Sequence, residues 1–492
     1  MLKPLAQAKW NDATAAHLLN RAGFGGPPSE IARLAGLKHD QAVAALVDYE
    51  LVADETPQPD WAHPDPERMK RLRDVYKQGT PEQKKAAQQE ENRLQALRML
   101  ELRGWWLRRM ARGPRPFQEK MTLFWHGHFA TSVEKVREAY FMWRQNELFR
   151  RLATGNWLAL LIEAGKDPAM LVWLDQAQSR KEHPNENFAR EVMELFTLGE
   201  GHYTEKDITE AARALTGWSL DRATEKFVYR ANTHDEGDKT FLGRTGNFDG
   251  EDVLEQIVAQ PQAALFITAK LWNFFAGQPP APPLNQALAE VFRKAGNNFK
   301  PVLRAMFMSE EFYDPGLIRN QVKSPVQWLV GSARMLECEL PPPQASAVVL
   351  RTLGQDLFAP PNVKGWDGGL AWITTNNLLA RYNEAAALVQ GDLSIVAGMA
   401  DTKNPQMAKR MQNRLRNYRV GGVNVEKIFP EQERTNQNVL LTALEQRLLQ
   451  DKLKPRQEQS LRGFLDTRKQ LNEADVRDAI RLVMSTPEYQ LT

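Results

Sequence analysis

Apolar side chains return every three or four residues over most of this chain, and that period leaves room for little except helices. Phe117, Met121, Phe124 and His128 fall at i, i+4, i+7 and i+11, and Phe188, Ala189, Val192, Leu195 and Phe196 form a second stripe of the same kind. Runs of alternating polarity are few, and the clearest is Lys226-Phe-Val-Tyr229. The expected fold class is therefore mainly α, a multi-helix globular bundle with at most a small β-hairpin. With 492 residues, 42% of them apolar, such a chain buries a core without covalent staples. Its single cysteine, Cys338, excludes an intrachain disulfide and a thiolate metal cluster, and reads as a small buried hydrophobe.

Composition shifts divide the chain. Residues 1–55 read as short N-terminal helices, the first capped by Asp12 or Thr14, with a break from Gly23 to Pro28. Residues 56–96 turn to Pro, Lys, Gln and Glu, as in a charged arm or a helical hairpin. Residues 97–220 are a central helical block that carries the motifs, and 221–250 are a loop rich in Thr, Asp, Gly and Asn. A second helical block spans 251–390, and polar helices fill 391–492. Lys and Arg total 64 against 61 Asp and Glu, a formal charge of +3 that supplies no large field for nucleic acid. The segment Met1 to Trp10 has no apolar h-region, and no later stretch approaches a membrane span. As written, the chain is expected to be soluble and cytoplasmic, with no export signal.

Two segments concentrate polar chemistry. Phe124-Trp-His-Gly-His-Phe129 sets His126 and His128 among aromatics. In a continuous helix residues two apart point roughly 200° from each other. A break at Gly127 would instead bring both imidazoles to one side, as in a strand. They would then form a chelating pair for a divalent metal ion, with His126, His128, Glu186 and Asp175 as candidate ligands. The bland reading is a pair of hydrogen-bonded core histidines. The second segment, Asn185 to Glu194, packs Glu186, Asn187, Arg190, Glu191 and Glu194 onto one side of a helix that Asn185 caps and that Gly199 and Gly201 end. Glu186, Arg190 and Glu194 at i,i+4 spacing suit an exposed salt-bridged face; Asn187, a poor helix former, favours a buried network. Glu191 and Glu194 are candidate acid–base groups and Arg190 a candidate anion clamp.

Three further candidates lie on loops. His234 and Asp235 offer acid–base groups and Lys239 an anion contact, on a segment read as a lid near the site's mouth or as an ordinary polar turn. Trp366 and Trp372, flanked by glycines, suit a stacking platform or a core plug. Asn185 and Asn187 complete the candidate substrate contacts. There is no phosphate-binding glycine loop, no Gly-x-Ser-x-Gly elbow and no His-Glu-x-x-His.

The chain resembles a large bacterial family, domain of unknown function 1800. The resemblance runs through His17 to Gly25, Leu123 to Thr131, Asn185 to Gly199, Ala211 to Trp218, His234 to Gly243 and Pro361 to Gly369, nearly the whole length. It implies a large helical protein of a kind that often accompanies proteins similar to sulfatases and alkaline phosphatases, and some of its relatives look exported. It brings no activity with it. The expected function is a metal-dependent or acid–base hydrolase with a His/Glu/Arg pocket; the alternative is a non-catalytic binding or assembly partner of a sulfatase- or alkaline-phosphatase-like protein.

Overall fold

The structure, a computed structural model, describes residues 2–392, 422–434, 436–468 and 471–492. Helices build most of it, as the period requires. Among the described residues, strand is confined to two antiparallel hairpins, Trp218–Asp221 with Lys226–Tyr229 and Lys239–Phe241 with Arg244–Gly246. The second hairpin is shorter than alternation can signal: three residues a side, with Leu242 and Gly243 turning at positive φ.

Local chemistry sets the helix ends. Asn11, rather than Asp12 or Thr14, caps the first long helix: its side chain accepts from the amides of Ala13 and Thr14, and Thr14 Oγ1 accepts from Asn11 N–H. Thr80 and Pro81 start the longest helix, Pro81–Arg112, well before the Leu- and Trp-rich stretch at its end, and it stops at Gly113. The expected cap at Asn185 is present, and Thr204 caps the helix Glu205–Ala214 in a capping box with Asp207.

The apolar side chains form two clusters. One gathers most of the apolar side chains of the first fifty residues with parts of 117–317; the other gathers Phe24, parts of 99–220 and parts of 326–489. The helix Pro116–His128 lies between them: every residue from Phe117 to His128 except Gly127 is buried. Phe117, Met121, Phe124 and Trp125 belong to the first cluster and Leu123 to the second. A single-stripe reading of this helix is therefore too narrow, because it buries two faces.

Its second face carries charge into the interior. Glu119, 1% exposed, accepts from Arg150 Nε (2.7 Å) and Nη2 (2.9 Å), from Arg109 Nε (2.8 Å) and from Trp106 Nε1 (2.8 Å). Arg109 also pairs with Asp54 and Arg150 with Glu147. Burial alone would raise the Glu119 carboxyl, but the two guanidiniums outweigh it and hold the group below the usual glutamate range. Each of its acceptor sites is answered, the condition under which a buried charge is tolerated.

Candidate functional site

The two histidines separate because Gly127 does not break the helix, which runs on to His128. His126 turns toward the second cluster, its ring 4.7 Å from Trp106 and 5.1 Å from Phe358, with Phe149 of the first cluster 5.0 Å away. Arg150 Nη2 donates to Asn146 Oδ1 (2.6 Å), which orients the amide so that Asn146 Nδ2 donates to His126 Nε2 (3.0 Å). His128 enters the first cluster. Its Nε2 donates to the Phe196 carbonyl (3.0 Å), and its Nδ1 accepts from Lys270 Nζ (3.3 Å). Each imidazole lone pair is thus already occupied. Burial, reinforced by Arg150, pushes His126 down to about 3; burial and Lys270 push His128 well below the ordinary histidine range.

The other candidate ligands lie elsewhere. Asp175, at φ 58°, pairs with Lys135 at 2.7 Å on the surface, and exposed Glu186 accepts from Thr209 Oγ1 (3.0 Å). Among the described residues no three His, Cys, Asp or Glu side chains gather as a metal site requires. The shared metal pocket expected of His126, His128, Glu186 and Asp175 is not formed, and these residues do not fit a divalent ion.

The helix opened by Asn185 is α-helical over Glu186–Glu191 and widens into a π turn over Val192–Thr197, where Thr197 Oγ1 reaches back to the Val192 carbonyl (2.6 Å). Its last carbonyls are claimed from outside: Leu195 by Lys270 Nζ (3.0 Å), Phe196 by His128 and Leu198 by Gln262 (3.0 Å). This fastening to the helix Pro261–Ala276 holds the carboxylates before it in place. Asn185 itself is spent on structure, capping Phe188 N–H (3.3 Å) and donating to the Leu174 carbonyl (2.7 Å), while Asn187 is exposed.

Arg190 makes a two-pronged pair with Glu205, 2.8 and 2.7 Å, at 37% and 77% exposure. Glu191 and Glu194 are half-buried. Burial and then the Glu194 carboxylate raise the Glu191 carboxyl above the usual glutamate range, with Lys364 and Arg190 pulling the other way. Tyr203 donates its hydroxyl to Glu194 (3.1 Å), and burial and that carboxylate push the phenol up to about 12.

Lys364 arrives through a backbone approach that only glycine allows. Gly365 has φ +89°, and a Cβ there would stand 2.4 Å from the Gly127 carbonyl oxygen. The next residue, Trp366, is half-buried, and its ring lies within 4.0 Å of where a Gly127 Cβ would stand. The loop from Asn362 to Trp366 thus closes over the end of the Pro116–His128 helix and brings its ammonium near the Glu191–Glu194 pair. Trp372 has other neighbours, Gly354 and Gly368.

The 221–250 candidates are held by Arg213, Thr216 and one another instead. His234 Nδ1 lies 2.8 Å from the Thr216 carbonyl, Asp235 pairs with Arg213 (2.8 and 3.1 Å), and buried Lys239 donates to the Asp235 carbonyl and Asn247. Glu210 and Asp207 accept the amides of Thr240 and Leu242 (both 2.9 Å), which ties the second hairpin to the Glu205–Ala214 helix. The groups meant for a lid are spent on fastening it.

Fold and seam together define a mainly α protein with a half-buried carboxylate pair beside a glycine-rich loop, over the helix that divides two cores. The chain belongs to the family described as protein of unknown function (DUF1800), whose model matches residues 17–491. No curated protein and no solved structure matches it. Among the described residues no helix is long and apolar enough to cross a membrane. Lys364, Tyr203 and Lys270 were missed as site residues; Lys364 stands within the Pro361 to Gly369 motif, whereas nothing in the local pattern marks the other two.

Proposed function

We propose that the chain is a hydrolase working by acid–base chemistry, with Glu191 as proton donor and Glu194 as the partner carboxylate beside it. The observation that carries this is the raised Glu191 carboxyl, half-buried next to a second carboxylate that Tyr203 holds by a hydrogen bond. A carboxyl that holds its proton above the usual range, beside a second carboxylate, is what a general acid with a charge-stabilising partner needs. Lys364 supplies a cation and Trp366 an aromatic face on the substrate side. Arg190 is a weaker clamp than its position suggested, since Glu205 neutralises it. No step runs through a metal.

The test is turnover of p-nitrophenyl sulfate, phosphate, carboxylate esters and glycosides by the full chain and by Glu191→Gln. One substrate class should be cleaved, and the variant should lose about 100-fold or more, the usual share of a general acid. Equal rates in the two proteins would overturn the assignment. One observation favours the second reading, a non-catalytic partner of a sulfatase- or alkaline-phosphatase-like protein: both histidines, Arg190 and Asp235 already have their partners within the chain. Absence of turnover across the whole panel, together with co-elution with such a protein, would favour it.

A further inference from the structure

On the far side of the Leu195 carbonyl, the helices Pro261–Ala276 and Pro282–Lys294 leave an open groove of about 530 Å³. Leu265, Phe266, Ala269 and Pro280 make much of its wall; Gln262, Asn273, Asn285 and Gln286 are its neutral polar members, and Lys270 is its charged one. Its size, and a mainly apolar wall edged by amides and one amine, suit a small molecule. Lys270 decides the sign of that molecule. Its Nζ has only neutral company: the Leu195 carbonyl (3.0 Å), His128 Nδ1 (3.3 Å) and the Phe266 ring, 4.8 Å to the centroid. Among the described residues no carboxylate pairs with it, although Lys and Arg elsewhere in the chain are paired many times. An ammonium has three N–H donors, and two are used. A partly buried cation on an apolar groove is complemented by an anion attached to an apolar body.

We propose that this groove is a binding site for a small amphipathic carboxylate, its apolar body on Phe266 and Pro280 and its carboxylate on Lys270 Nζ. The site is separate from the Glu191–Glu194 pair and does not depend on what that pair does. Lys270 ties the two together mechanically, because the amine that meets the ligand also holds the Leu195 carbonyl.

Decanoate and decanol differ in the charge at one end and serve as probes in calorimetry on the full chain. Decanoate should bind at least tenfold tighter than decanol, and Lys270→Met should abolish that preference while keeping the decanol affinity. The substitution removes a donor from Leu195 and His128 and could unfold the chain, so a measurement on the unsubstituted protein stands beside it: decanoate, but not decanol, should protect Lys270 from acetylation by acetic anhydride, read by peptide mapping. Equal affinities for the two probes, no binding of either, or a Lys270 acetylated equally with and without decanoate would overturn the proposal.

Discussion

Two clusters of glutamate and arginine occupy this molecule, and the same residue types do opposite things in them. Around Glu119, side chains with 2%, 5% and 7% exposure lock a carboxylate between Arg150 and Arg109. Around Glu191, Arg190 is drawn off by Glu205 at the surface, which leaves two half-buried carboxylates in each other's field with Lys364 close enough to act on Glu191. In the first cluster charges are matched and the carboxyl is held ionised; in the second they are unevenly matched and one carboxyl holds its proton more tightly. Satisfied charge specifies packing, and unevenly satisfied charge leaves a group able to exchange a proton.

The largest expected effect comes from unbalancing the matched cluster. Glu119→Ala leaves two buried guanidiniums without their carboxylate, and thermal or urea unfolding should show a loss of about 3–5 kcal/mol. A loss below 1 kcal/mol would mean that the network is not as dry as its exposure indicates. Because the folded Glu119 value is depressed, its stabilisation is present above the unfolded pKa and fades as pH falls through the folded one.

Next is the seam between the clusters. Gly365→Ala meets both a positive φ and the Gly127 carbonyl, so it should cost about 1–3 kcal/mol of stability. It should also lower any activity that needs Lys364. By contrast a Cβ at Gly127 meets only an ordinary contact with Trp366, and Gly127→Ala should be neutral or stabilising by up to about 1 kcal/mol. If the ranking of these two glycines reversed in melting experiments, the close approach of loop and helix would be wrong.

His126 sharpens the comparison by pH. Its folded value of about 3 lies below the ordinary 6.5, so the unfolded chain takes up the proton first as pH falls. The stabilisation from keeping it neutral is whole above 6.5 and is lost progressively between 6.5 and 3. His126→Asn should flatten that part of the stability–pH curve, and an unchanged slope would show that His126 titrates normally. The smallest effect belongs to Arg190→Ala, which removes an exposed pair and should change stability by no more than about 1 kcal/mol.

How far this was legible in sequence varied with the range of the interaction. The helical architecture followed from the apolar period, and the Asn185 cap from its neighbours, because those signals span a few residues. The Glu119 network was not legible: its members come from positions 54, 106, 109, 119, 146 and 150, and Glu119 looks like an ordinary charge in a helix's first turn. His126 and His128 stand out in sequence by their rarity; of the two readings the residues allow, the structure has the hydrogen-bonded core histidines on a continuous helix, because Gly127 does not break it. The polar 221–250 segment suggested a lid because its apolar residues are few; ionic and backbone bonds from Arg213, Glu210 and Asp207 hold it instead.

The most direct test of the account is the titration of the Glu191 carboxyl carbon by ¹³C NMR, in the unsubstituted chain and in Glu194→Gln. Glu191 should titrate above the usual glutamate range and move down when the neighbouring charge is removed. A Glu191 that titrates in the ordinary range, and does not respond to the loss of Glu194, would contradict the claim that these two carboxylates form a coupled acid–base pair.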